Sequence, residues 1–343
     1  MKNILIAMTL LPLALLGDAF GQQKPQVYLS GYTFSARQKA VGEIKISGNS
    51  QINSISIGGA DAGSFKIGKN NILSVKKVNP DVHSLEITVT AKTSAGSQTA
   101  EFKIVNDQFI HNKVIAHRGA WKNTGASENS LAALQHAIDM GCEGAEFDVH
   151  MSADSALFIH HDDAIQGKDI EKTDAQTLAS LKLGNGENLP TLAAYLKAGI
   201  KQNKTKLILE IKPSAISKER AIALTHKVMD EVRTLKAEAW VDYISFDYEV
   251  CLELIKLAPY AKVAYLKGDK TPAELAAAKF YGLDYHYSVL KKNPGWIKEA
   301  RDNKLTINVW TVNDEAVMDW LIKENADFIT TNEPELLLKK LKK

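Results

Sequence analysis

Between residues 26 and 107 apolar side chains recur at alternate positions in short runs, as in Glu43-Ile44-Lys45-Ile46, Ser64-Phe65-Lys66-Ile67 and Leu85-Glu86-Ile87-Thr88-Val89. Successive side chains of a strand point to opposite faces, so each run reads as a half-buried strand. Seven runs, at 27–29, 43–46, 52–57, 64–67, 72–75, 85–89 and 100–105, are separated by Gly, Asn, Asp and Ser turn residues. That spacing predicts a small all-β sandwich without helices.

After Asp107 the pattern changes. Apolar runs at 114–116, 144–149, 207–211, 243–246, 262–266, 282–287, 305–311 and 327–331 are separated mostly by stretches of helical period, among them 130–140 and 217–235. Asp247 is placed to cap one helix, and Thr271-Pro272-Ala273-Glu274 reads as a capping box with proline at the first helical position. Eight strands alternating with helices predict an α/β fold, a closed (β/α)8 TIM barrel. A ninth run, Leu157-Phe158-Ile159-His160-His161, follows residue 149 too closely for a helical crossover. It must return antiparallel, as a β-hairpin inserted after the second barrel strand. A turn near Ala153-Asp154 brings His161 back to about the level of Glu146, and alternation puts His160 on the opposite face.

The first 21 residues fit neither pattern. Lys2 precedes an apolar run over 4–16, Ala19-Phe20-Gly21 offers a small-x-small cleavage site, and no Cys follows the run. These are the marks of a secretory signal peptide, too short to span a bilayer. The expected organisation is therefore a signal peptide over 1–21, a sandwich over 22–107 and a barrel over 108–343. The mature chain is expected to be exported, to the periplasm of a Gram-negative bacterium. A net charge of +2 over 343 residues supplies no field for a polyanion, so neither a nucleic-acid partner nor a transmembrane segment is expected. Cys142 and Cys251 lie in separate units and read as two buried free thiols.

Polar chemistry gathers where barrel strands end. His117-Arg118-Gly119 closes the first run, Glu146 and Asp148 share one face of the second, and Glu210 and Lys212 repeat that spacing on the third. Charges facing a barrel axis are tolerable at the C-terminal rim, where ligands bind. Three carboxylates converging there repel one another unless a cation shares them, and oxygen-only ligands select a hard divalent ion, Mg²⁺ or Ca²⁺. Trp310, Tyr285 and Tyr287 stand at late strand ends, where aromatics serve packing as often as recognition; His286 between the tyrosines reads as structural.

Taken together, His117-Arg118-Gly119, Glu128-Asn129-Ser130, Glu146-x-Asp148-Val149, His161-Asp162, Pro190-Thr191-Leu192, Leu209-Glu210-Ile211-Lys212, Ser245-Phe246, Val309-Trp310-Thr311-Val312-Asn313 and Asp327-Phe328-Ile329-Thr330-Thr331-x-x-Pro334 resemble the glycerophosphodiester phosphodiesterase family. The resemblance covers about 113–340. It implies hydrolysis of glycerophosphodiesters to glycerol 3-phosphate and an alcohol, with Glu146, Asp148 and Glu210 as ligands of one divalent cation and His117 and His161 as acid and base. Arg118 and Lys212 would bind phosphate, Glu128 would help order the site, and Trp310 would border the substrate. Which histidine is acid and which is base stays open, as does attack by water against attack by the neighbouring glycerol hydroxyl.

Two departures leave the preferred alcohol undefined. Asp154-Ser155 stands where the family's hairpin usually turns at Asp-Gly, and residues 163–168 replace the arginine and threonines that often follow His-Asp. A phospholipase C-like or sphingomyelinase D-like enzyme on the same barrel is the rival activity, and a non-catalytic exported binding protein is the rival class. The turn and strand wording around Gly59-Ala60-Asp61 and Ser94-Ala95-Gly96 resembles cadherin-type modules without their acidic calcium motifs.

Overall fold

The computed structural model describes residues 25–48 and 50–342, so the expected signal peptide lies outside the described residues. The eight expected barrel strands are Val114–Ala116, Gly144–Met151, Lys206–Ile211, Val241–Ser245, Val263–Tyr265, Gly282–His286, Thr306–Trp310 and Phe328–Thr331. Each pairs in parallel with the next, and the eighth closes on the first with Thr331 opposite Ala116. Helices between them bury apolar stripes against the outside of the ring. Side-chain caps set where several of these helices begin: Ser130 accepts from the Ala133 N–H, Ser217 from Arg220 and Asp247 from Glu249 and Val250. The capping box at Thr271 and Glu274 is fully formed. Each cap satisfies amides that the first helical turn leaves without a partner.

The run beginning at Leu157 folds back as expected. Strand Leu157–Ile159 pairs antiparallel with the second barrel strand, Val149 opposite Ile159, and the His160 N–H extends the register by donating to the Asp148 carbonyl at 3.1 Å. This register brings His161 level with Phe147, one position from the expected Glu146. Ser155 takes the glycine's place in the turn at φ +73°. Phe158 on the returning strand nucleates a small satellite core with Ile165, Ile170, Leu178, Leu183 and Leu189. The sixth strand ends one residue earlier than its apolar run, because Tyr287 opens the helix Tyr287–Lys292.

The N-terminal residues form two four-stranded sheets. One comprises Val27–Leu29, Ala40–Ile46, Ile72–Val75 and Phe65–Ile67; the other comprises Thr33–Phe34, Gly96–Asn106, Ser84–Thr93 and Ile52–Gly58. All seven expected runs are strands. The pattern missed Thr33–Phe34, and two 3-10 turns, Ala62–Ser64 and Lys69–Asn71, interrupt a region expected to lack helices.

These sheets pack against the end of the barrel where its strands begin. Asn203 Nδ2, ahead of the third strand, donates to the Asn106 carbonyl at 2.7 Å. The His83 ring stacks on Trp240, which precedes the fourth strand, and Tyr32 meets Tyr260, which precedes the fifth. The apolar core runs without a break from the sheets into the barrel wall. Cys142 and Cys251 are separate, buried and free. No helix among the described residues is long and apolar enough to cross a membrane.

Candidate active site

The site begins where the first strand stops. The chain turns at once after Ala116 through Arg118 at φ +57° and Gly119 at φ +77°. A Cβ on Gly119 would lie 2.7 Å from the Ala133 carbonyl carbon and Cβ, so only glycine passes beneath the start of helix Leu131–Met140. A left-handed arginine costs about 1–2 kcal/mol. The turn offsets that cost by aiming the Arg118 N–H at Glu146 Oε2, 2.8 Å away.

Glu146 and Asp148 project inward from the second strand, and the parallel register sets Asp148 directly beside Glu210 on the third. All three are buried, and one oxygen from each lies within 4.8 Å of the others. Lys212 Nζ stands 2.9 Å from Glu210 Oε1 and 3.3 Å from Asp148 Oδ1. Neither oxygen receives a directed hydrogen bond. Burial, then repulsion from Asp148 and Glu210, pushes Glu146 well above the usual carboxylate range. Burial and Asp148 push Glu210 up to about 8 against the pull of Lys212. Burial also works on Asp148, but Lys212, His161, Asn129 and Arg118 together hold it below its ordinary value. Lys212 and Arg118 do not offset the burial and mutual repulsion of Glu146 and Glu210. The convergence of the three carboxylates, with two oxygens lacking donors, has the hardness and charge that suit a divalent cation.

His117 and His161 flank this cluster. His117 Nε2 lies 4.0 Å from Glu146 Oε2, while its Nδ1 meets Asn332 Oδ1 at 2.7 Å. Since the amide oxygen only accepts, Nδ1 carries the proton and Nε2 turns its lone pair toward the carboxylates. Burial, then the Arg118 charge, pulls the His117 imidazole down to about 4, although the bond to Asn332 works the other way. His161 is more open and holds Asp162 Oδ1 at 2.7 Å through its own Nδ1. The His160 ring instead accepts from the Asp162 N–H.

Arg118 Nη1 donates to Glu128 Oε2 at 2.9 Å, fixing the guanidinium, while its enclosed Nε has no hydrogen-bond partner. That leaves one buried donor free for an anionic oxygen. Trp310 is half-buried at the mouth, its ring orientation locked by the Nε1 bond to the Asp284 carbonyl at 2.8 Å. Phe246 and His286 meet it edge to face at 5.4 and 5.1 Å. Tyr285 points the other way, fully buried, its hydroxyl bonded to the Lys270 carbonyl. The sixth strand thus turns His286 toward the mouth and Tyr285 away from it.

Three polar residues beside the site had no role assigned from the sequence. Asn129, at φ +60°, holds Asp148 at both ends: its Nδ2 donates to Asp148 Oδ2 at 2.8 Å and its Oδ1 accepts from the Asp148 N–H. Asn332 fixes His117, and Asp162 orients His161. Asn332 directly follows the eighth strand, a position at which a polar residue faces the mouth. That was the available signal.

A closed parallel barrel with this charged cluster at the C-terminal ends of its strands defines a (β/α)8-barrel enzyme. The model of the glycerophosphoryl diester phosphodiesterase family matches residues 117–336, and the chain belongs to that family. A glycerophosphodiester phosphodiesterase of Caldanaerobacter subterraneus subsp. tengcongensis is 28% identical over 67% of this chain and 98% of its own length. The crystal structure of a glycerophosphodiester phosphodiesterase from Parabacteroides distasonis is similar at 43% identity and a TM-score of 0.66, covering 68% of this chain and 98% of that one. A phosphodiesterase of Oleispira antarctica in complex with the product sn-glycerol-3-phosphate is similar at 25% identity and a TM-score of 0.57, over 67% of this chain and 97% of that one.

Proposed function

We propose that the protein hydrolyses glycerophosphodiesters to sn-glycerol 3-phosphate and an alcohol, using one divalent cation and two histidines. The observation that carries this reading is the meeting of three buried carboxylates, two differently partnered histidines and two cationic phosphate donors at one barrel mouth. Glu146, Asp148 and Glu210 are the residues that would hold Mg²⁺ or Ca²⁺. Such an ion, when bound, supplies positive charge beside the non-bridging phosphate oxygens as they gain charge.

The chain's own residues would do the rest. Arg118, braced by Glu128, and Lys212 draw the diester phosphate into the mouth and stabilise its developing charge. His117, neutral and with a free Nε2 lone pair, accepts a proton from the attacking oxygen as the new P–O bond forms; that oxygen is water's, or the neighbouring glycerol hydroxyl's, in which case a water then opens the resulting cyclic phosphate to sn-glycerol 3-phosphate. His161, backed by the Asp162 carboxylate, gives its proton to the departing alkoxide as the old P–O bond breaks. Trp310, with Phe246 and His286 beside it, borders the alcohol.

The same reading takes residues 1–21 as a signal peptide for export to a periplasm, 22–107 as a cadherin-like sandwich and 108–343 as the catalytic barrel. The sequence pattern supports these boundaries. The deciding assay is release of sn-glycerol 3-phosphate from a panel of glycerophosphodiesters by the purified chain, with and without chelator. Product release that is lost on chelation and restored by Mg²⁺ or Ca²⁺ is expected. Undiminished turnover after exhaustive chelation would remove the cation from the proposal, and inactivity on every glycerophosphodiester would remove the substrate class.

A further inference from the structure

At the far end of the molecule from the mouth, the N-terminal sheets and the barrel line a half-open cavity of about 410 Å³. That is the size of a small-molecule site. Four aromatic residues stand in its mixed wall: Tyr28, Tyr32 and Phe102 come from the sheets and Tyr260 from the barrel. The Tyr260 ring lies 4.9 Å from Tyr32 and 6.0 Å from Tyr28, and Tyr32 lies 5.9 Å from Phe102.

Glu238, in the turn ahead of the fourth strand, adds a carboxyl group to this wall. Its Oε2 is enclosed and has no hydrogen-bond partner among the described residues. The nearby Tyr243 hydroxyl, close enough to feel the Glu238 charge, is also buried without a partner. An enclosed carboxyl oxygen without a partner is costly unless something supplies a donor or a positive charge. Burial accordingly pushes Glu238 up to about 7.

The two cations of the wall are already engaged. Lys236 Nζ stands 3.1 Å from Glu86 and 2.7 Å from Glu101, and Arg233 lies 3.8 Å from Asp230 and donates to the Leu257 carbonyl. Lys103 also stands 3.3 Å from Glu86, so Glu86, Glu101 and Asp230 each have a cation in contact, and Glu238 forms no ion pair among the described residues. An inorganic anion would meet the unpaired Glu238 carboxylate, and a metal ion would find that single unpaired carboxylate as its one charged ligand. Aromatic rings around a partnerless carboxylate suit an alkylated ammonium group, whose charge is attracted both by ring faces and by the acid.

We propose that this cavity binds a small organic ammonium ion, surrounded by Tyr28, Tyr32, Phe102 and Tyr260, with its charge set against Glu238. The site is independent of the reaction at the mouth.

The test is calorimetric titration of the full mature chain with choline and with its uncharged isostere 3,3-dimethylbutan-1-ol, sn-glycerol 3-phosphate being present to fill the mouth. Choline is expected to bind one to one, and the isostere at least tenfold more weakly. Glu238→Gln should weaken choline binding tenfold or more and abolish the discrimination. Tyr28→Phe should retain binding and Tyr28→Leu should lose it several-fold; these two variants decide the matter if Glu238→Gln fails to fold. Trp310→Ala, at the mouth, should leave choline binding unchanged. The proposal is overturned by absence of choline binding, by equal binding of the isostere, or by binding that responds to Trp310→Ala and ignores Tyr28→Leu.

Discussion

Asp162 and Asn332 divide the labour between the two histidines, and deleting each ring tests that division. His161→Ala removes a partly exposed side chain whose one hydrogen bond, 2.7 Å to Asp162, joins an ion pair with side chains 33% and 70% exposed. Pairs so open to solvent contribute about 0–1 kcal/mol, so the thermal midpoint should scarcely move. General acid assistance contributes ~10²–10⁴-fold, and turnover of a glycerophosphodiester with an alkyl leaving group should fall by about that factor. A 4-nitrophenyl phosphodiester needs little protonation of its departing oxygen. The His161→Ala variant should recover most of its loss on that substrate. His117→Ala, which removes the group placed to take a proton, should be impaired on both substrates alike. Stopped-time assays with the two substrates, thermal melts and a chelator-competition measurement of metal affinity form the complete set. Equal rescue of both variants, rescue of His117→Ala alone, or a His160→Ala variant as impaired as His161→Ala would refute the assignment.

Further expectations concern the cation, the hairpin and the sheets. Glu210 keeps its proton up to about pH 8 without metal and Glu146 is raised with it, so cation binding must displace protons. Apparent affinity for Mg²⁺ or Ca²⁺ should therefore climb as pH rises from 6 to 8, by up to about tenfold per unit for each proton released; a flat profile would contradict the cluster. The unfolded chain releases the same protons near the ordinary carboxylate value, so chelated protein should lose stability as pH rises from there through about 8, and added cation should restore it. Ser155→Gly relieves a left-handed serine at φ +73° and should stabilise the fold by about 0.5–1 kcal/mol in denaturant melts; a loss would show that the hydroxyl matters more than the backbone. A chain beginning at Phe109 uncovers Tyr260 and the Trp240 face, and should melt at a lower temperature yet turn over a small diester normally wherever it remains folded. Loss of turnover in a folded sample would show that the sheets complete the site.

Barrel strands were legible because most apolar runs end abruptly in a polar residue at the rim, and the hairpin because the seven residues between 149 and 157 leave no room for a crossover. The pairing of Glu146 with Asp148 and of Glu210 with Lys212 followed from strand periodicity alone. Facing on the sixth strand did not. Gly282–His286 is buried on nearly every residue, so no alternation shows which side is inward; the register with its neighbour, His286 opposite Trp310, decides it. Asn129, Asn332 and Asp162 are short polar side chains in turns, and Asn332 acts on a histidine 215 residues away. Such a role exists only after the ring has closed. Thr33–Phe34 is two residues long and carries no period at all.

The sheets dock where the barrel strands begin, and the reacting groups stand where those strands end. A molecule built this way has a handle and a working face that point apart. Fixed to a support or fused to another protein through the strand Val27–Leu29, it would hold its mouth toward the surrounding solution, and diesters would approach without passing the attachment. Bulk can thus be added at one pole without narrowing the entrance at the other.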